Sequence, residues 1–202
     1  MIVGLSERPS GGLSLKEAAV LARVTEKSIR HELAAKIVRP LRRAHHHVEF
    51  DPRVVFYLAL VSSLPVELPK SERRDLFELL THDHAKHGNW TREASRLVRG
   101  GTVPIEVSTS DLGRTVAERL RLFSRGMKRV VATTEILGGE PVFKGTRVSV
   151  RHVGLLAKRD VPMPELREDF PSLSEDDIAF ARLFVELGRA PGRPRKLKLI
   201  RS

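Results

Sequence analysis

The side chains in this sequence best suited to chemistry are cations and imidazoles. Lys27, Ser28, Arg30 and His31 lie close together, followed by Arg39, Arg42, Arg43 and the run His45-His46-His47. Guanidinium and ammonium groups bind phosphate, and an arginine can fork onto the O6 and N7 of guanine. Three adjacent histidines do not converge on one metal ion without unusual backbone geometry, so contact with phosphate suits the run better than metal ligation. A second imidazole group, His82, His84 and His87, flanks Asp83. His84 and His87 have a spacing that can chelate, yet a solvated polar helix end is the better reading. Catalysis has no comparable basis. There is no nucleophile–base motif, no phosphate-cradling glycine loop and no strong metal-ligand spacing. The chain is therefore expected not to be an enzyme and to need no cofactor.

The bulk composition agrees with a polyanion partner. The 202 residues carry a formal net charge of +11, and the isoelectric point is about 10.6. A basic chain that is not low-complexity most often meets nucleic acid. Hydrophobic residues make up 41% and aromatics 5%, so a core is affordable but must be built mainly of Leu, Val, Ile and Ala. There are no cysteines, which excludes disulfides, thiol catalysis and Cys-ligated zinc. The longest apolar run, residues 54–61, is far shorter than the roughly 20 residues a membrane helix needs. The start of the chain, MIVGLSERPSGG, lacks a charged head and apolar stretch. No membrane association and a cytoplasmic location are expected.

The elements that would position the cations follow from caps and periods. Ser14 and Glu17 have capping-box spacing ahead of a helix over residues 15–22. Thr25 caps a second helix, in which Ile29, Leu33 and Ile37 form one stripe. Arg23 and Val24 join the two as a helix-turn-helix. Val38 and Leu41, then Val48 and Phe50, bracket the basic segment as a small hairpin. Asp51-Pro52 opens a helix over residues 52–64, ended by Pro65. Helices are expected over residues 71–84 and 92–98, a strand over 103–107, and a helix capped by Asp111 and running to Ser124. Further on, residues 130–132 and 148–150 read as paired strands around Gly138, Gly139 and Gly145. A helix over residues 151–157 follows. A second is opened by Pro162 and Pro164, and a third is capped by Ser174 with Glu175, Asp176 and Asp177 in its first turn. The expected organisation is a flexible arm (1–12), a DNA-binding domain (13–65), a helical linker region (66–127), a C-terminal module (128–188) and a basic tail (189–202). The fold class is mainly α: an N-terminal winged helix-turn-helix plus a C-terminal three-helix, helix-turn-helix-like module with a short β hairpin.

In a helix-turn-helix the early, outward residues of the second helix meet base edges. Here those are Glu26, Lys27, Ser28, Arg30 and His31. Arg39, Arg42, Arg43 and His45 to His47, with His46 at the centre, would flank it and grip phosphates as a wing. The string LSLKEAAVLARVTEKSIRHELAAKIVRPLRRAHHHVEFDPRVVFYLALV resembles the winged helix-turn-helix of the MerR type. Val38-Arg39-Pro40 and Phe50-Asp51 follow that family's order. The departure is Arg23, where the family usually has glycine in the turn, so an arginine must take a conformation glycine takes freely.

The C-terminal module resembles the "domain of unknown function 433" family of antitoxin-like modules. The resemblance rests on Gly139, Pro141, Phe143, Gly145, Thr146, Arg147, Val148, Val150, Phe170, Pro171, Leu173, Ser174, Asp176, Asp177 and Ile178. Arg159-Asp160 departs from it, because the family favours glycine after the first helix. The resemblance implies a relationship to antitoxins of VapB type, whose toxins are PIN-like ribonucleases, and a MerR-like head with this tail domain looks like the long mycobacterial variety. It also implies a homodimer, with Val130, Val142 and Val148 lining the contact. Within the module Gly145 would permit a turn and Arg147 would pair with Asp169 or Asp177.

The tail, residues 189–202, carries six basic side chains and no acid. It can be a solubilising tail, a minor-groove element around Gly192-Arg193-Pro194, or a segment that folds onto the toxin. The last is favoured: Arg193, Arg195 and Lys196 would enter a carboxylate-lined active site, anchored by Leu197 and Leu199. The expected function is that of an antitoxin which neutralises a PIN-like ribonuclease toxin and binds operator DNA to repress its own promoter. The alternative is a stand-alone MerR-like regulator with a small-molecule effector.

Overall fold

A computed structural model describes residues 12–44, 47–82, 84–101 and 104–188. The chain is mainly helical with small antiparallel sheets, and it divides into two compact units, residues 1–121 and 122–202. Among the described residues no helix is long and apolar enough to cross a membrane.

In the first unit β1 (Leu13–Ser14) leads directly into α1 (Leu15–Ala22). The Ser14 hydroxyl accepts from the Glu17 amide at 3.3 Å and the Glu17 carboxylate accepts from the Ser14 amide at 2.9 Å, the expected capping box. Arg23 ends α1 in the left-handed region at φ 56° and ψ 40°, so the arginine does adopt the glycine conformation, at a cost of roughly 1 kcal/mol. Thr25 caps α2 (Glu26–Ala34). Leu41 then leads into β2 (Arg42–Ala44) and β3 (His47–Phe50), the expected hairpin. β1 joins the other side of β3, giving the order β1-β3-β2. α3 (Arg53–Ser63) follows, started by the Asp51 carboxylate, which accepts from the Arg53 amide at 2.8 Å. Every residue from Val54 to Leu60 is buried, so α3 is a central helix rather than an amphipathic one, and it packs against both α1 and α4.

The stretch expected to be a helical linker differs. α4 (Lys70–Thr81) stops short of the expected residue 84. It is followed by β4 (Lys86–His87), β5 (Trp90–Glu93), β6 (Arg96–Arg99) and β7 (Ile105–Ser108), one meander in sequence order. The helix expected over residues 92–98 is thus a β-hairpin. Its apolar residues do not repeat with a helical period; Trp90 and Leu97 are both buried on a sheet face whose other members are Arg92 and Arg99. Ala94, at φ 48°, makes the turn. Arg92 donates to the Leu79 carbonyl at 2.9 Å and Arg99 to the Glu72 carboxylate at 2.6 Å, which fastens the sheet to α4. The strand expected near 103–107 is present as β7. α5 (Ser110–Lys128) begins in the first unit and ends in the second.

In the second unit β8 (Val130–Val131) pairs with β9 (Val142–Phe143), not with residues 148–150 as expected. The reason is Ser149: its hydroxyl accepts from the His152 amide at 3.1 Å and caps α6 (Val150–Lys158), so the helix begins where a strand was expected. Only an isolated bridge joins Val142 to Ser149. α7 (Met163–Asp169) and α8 (Glu175–Glu186) complete the three-helix core. Asp160 holds φ 57° after α6, so an aspartate fills the left-handed position there, as short polar side chains can. α6 and α8 pack most closely at Gly154, where a Cβ would lie 2.1 Å from the Ala181 carbonyl oxygen.

Candidate nucleic-acid interface

Helical geometry divides α2 into two faces. With 3.6 residues per turn, Lys27, Arg30, His31 and Ala34 fall within an arc of roughly 100°, opposite Ile29 and Glu32. The first four are exposed and the last two are buried. Of the four expected site residues on α2, Lys27, Arg30 and His31 share this exposed arc. Ser28 is exposed, but its hydroxyl is 2.8 Å from that of Thr25, whose side chain caps the helix. Arg30 donates to Glu26 at 2.7 Å. Arg39 and Arg42 are exposed beside β2, with Arg42 opposite Glu49 across the hairpin. Arg43 takes the next place in β2, opposite Val48. His45 and His46 lie outside the described residues, as do the tail positions Arg193, Arg195, Lys196, Leu197 and Leu199.

The buried side of α2 holds residues that the sequence reading passed over. Glu32 is only 5% exposed. Its carboxylate accepts from the Tyr57 hydroxyl at 2.8 Å and from the Arg73 guanidinium, so α2, α3 and α4 meet at one buried charge. Burial, then the neighbouring Glu32 charge, pushes the Tyr57 hydroxyl well above its ordinary pKa and keeps it a donor. The Tyr57 ring also meets Phe77 of α4 edge-on at 5.2 Å. From α5, Arg119 donates to the Val20 and Leu21 carbonyls at 2.8 and 3.2 Å. It satisfies free carbonyls at the C-terminus of α1, where a cation also complements the helix dipole. The outward face is therefore fixed in part by Arg73, Phe77 and Arg119, whose sequence positions lie outside residues 13–65. The one sequence signal for Glu32 was its place on the apolar side of the α2 stripe.

The histidines of the middle region form a column rather than a chelate. The rings of His82 and His84 stack at 5.9 Å, as do those of His84 and His87. His82 lies 2.9 Å from Glu78. Among the described residues no group of His, Asp and Glu is placed to hold a metal ion.

In the second unit the expected partner of Asp177 is replaced. Arg129 donates to both Asp177 oxygens, at 3.1 and 3.0 Å, and Ser174 donates its amide and hydroxyl at 3.1 and 2.9 Å. Burial raises the Asp177 pKa, but the bonds from Arg129 and Ser174 outweigh it and hold the carboxyl below its ordinary value. Arg147 is exposed and pairs with neither Asp169 nor Asp177. It follows the Gly145 turn, at φ 80°, and points away from the core that Arg129 already serves. Val142 is completely buried within its own unit, so it is not available to line a contact between copies, whereas Val130 and Val148 are half-buried.

One family match lies within this second unit. Residues 130–185 match the family described as "Protein of unknown function (DUF433)". A curated relative, "Uncharacterized protein y4eO" of Sinorhizobium fredii (strain NBRC 101917 / NGR234), is 34% identical over 97 residues, which is 46% of this chain and 44% of the relative. The chain thus spans less than half the length of the relative it matches. No solved structure matches.

Proposed function

We propose that the chain is a DNA-binding antitoxin: a repressor whose N-terminal unit reads duplex DNA and whose C-terminal module and tail engage a PIN-like ribonuclease. The observation that carries the DNA reading is the exposed face of α2. Lys27, Arg30 and His31 stand together on a helix braced from behind by Glu32, Tyr57 and Arg73, and Arg39 and Arg42 are exposed further along the same unit. On this reading α1, the Arg23 turn and α2 form a helix-turn-helix and the β2–β3 hairpin is its wing. α2 enters the major groove while the hairpin contacts phosphate. The antitoxin part rests on the resemblance of residues 139–178 to antitoxin-like modules, in the stretch 130–185 that matches a family described only as of unknown function, and on the basic tail. A homodimer would impose two-fold symmetric operators.

Two variants test the DNA reading. Arg30→Ala should flatten the preference for the best site by about 1–3 kcal/mol, whereas Arg42→Ala should weaken all sequences alike and reduce the salt slope by about one. Identical behaviour of the two variants in fluorescence anisotropy would reject the assignment of α2 as the reading helix. Co-expression with a neighbouring nuclease gene tests the antitoxin part. A co-purifying complex with suppressed nuclease activity is expected; no complex would leave a stand-alone regulator.

A further inference from the structure

Glu26, the first residue of α2, is a half-exposed acidic side chain at the edge of the cationic face. A carboxylate there is repelled by DNA phosphates, so it lowers affinity unless it has a role at the base edges. Its geometry offers one. Glu26 Oε2 receives Arg30 Nη2 at 2.7 Å, with the carboxylate side chain 36% and the guanidinium 62% exposed. The pair fixes the direction of a guanidinium that still has donors to spare. Residues four apart on a helix sit about 6 Å apart, close to two base-pair rises.

We infer that Glu26 and Arg30 act as one reading unit for G·C pairs: Arg30 forks onto guanine O6 and N7, and Glu26 accepts from a cytosine amino group within two base steps. The inference rests on the DNA reading above. Cytosine offers its amino group as a donor in the major groove, whereas thymine offers an oxygen that repels a carboxylate. Glu26 therefore gives up affinity for random DNA in exchange for discrimination. A carboxylate that merely complements the positive end of α2 would stabilise the helix without touching sequence preference.

The test is enrichment of bound duplexes from a randomised pool, using the full chain as wild type, Glu26→Gln and Arg30→Ala, with melting temperatures measured alongside. Wild type should enrich sites that pair guanine with a nearby cytosine. Glu26→Gln should bind random duplex more tightly, by about threefold, while its preference for the wild-type site falls about tenfold. Arg30→Ala should lose the guanine. Opposite signs for affinity and preference are the signature of the pair. If Glu26→Gln enriches the same site with undiminished preference, the reading unit is wrong and the DNA reading stands. If wild type binds no duplex even at low salt, the DNA reading itself falls, and the inference with it.

Discussion

Each unit holds a buried carboxylate clamped by an arginine distant in sequence, and the two are used differently. In the first, Glu32 lies on the hidden side of α2 and is met by Tyr57 and Arg73. In the second, Asp177 lies in the first turn of α8, where it completes a capping box with Ser174 and receives both nitrogens of the Arg129 fork. Both carboxylates are 5% exposed. What lies opposite differs. Behind Glu32 is an open cationic helix face, and residues 1–121 carry twenty basic against fifteen acidic side chains. Residues 122–188 carry ten of each, and Asp177 fastens the start of a helix that buries Ile178, Phe180, Ala181, Leu183 and Phe184. A buried carboxylate held by an arginine thus braces an exposed helix face in one unit and closes a fold in the other.

Removing Arg73 should have the largest effect. Arg73→Leu strands the Glu32 charge and should cost about 3–5 kcal/mol in urea unfolding, while the double variant Glu32→Leu/Arg73→Leu recovers most of it. If the double variant is no better than the single, Glu32 is not the buried charge that α2 depends on. Gly154→Ala should follow at about 2–3 kcal/mol, because a Cβ meets backbone of α8 rather than a movable side chain. It should lower the stability of the second unit and leave duplex binding by the first intact. An equal loss in both would show that the units unfold as one.

The Arg129–Asp177 pair should give the smallest effect and a distinctive pH dependence. Asp177 has a folded pKa below its unfolded value of about 3.9. Its contribution is therefore complete above that unfolded value and lost as pH falls through the folded one. Arg129→Leu should cost about 1 kcal/mol at pH 7, since the guanidinium is half exposed. The difference from wild type should shrink toward zero as the pH falls through the folded value of the Asp177 carboxyl. A difference that stays constant with pH would mean that Arg129 acts by packing alone.

The helix caps were legible in the sequence because their signals are local. Ser14 with Glu17, Thr25, and Ser174 ahead of three acids each mark a helix start within four residues. The exposed α2 face followed from the period alone, and the left-handed Arg23 from the resemblance to a family that usually has glycine there. The β5–β6 hairpin was not legible. Arg92 and Arg99 occupy its inner face beside Trp90 and Leu97, so the alternation of buried and exposed residues is not an alternation of apolar and polar ones. Glu32 was legible only by its place on the apolar side of α2, because the partner that offsets its buried charge, Arg73, is forty-one residues away. Arg129 displaced Arg147 as the partner of Asp177 because the pairing is made by where α5 ends, not by the turn that carries Arg147.

The most direct test of the central claim uses the absence of cysteine, which lets one introduced thiol carry a photo-crosslinker. Lys27→Cys on the exposed face of α2 should crosslink to bases of a bound duplex in the major groove. The same label at Glu165→Cys on α7 should give little crosslinking at equal occupancy. Crosslinking from α7 but not from α2, with DNA fully bound, would contradict the account.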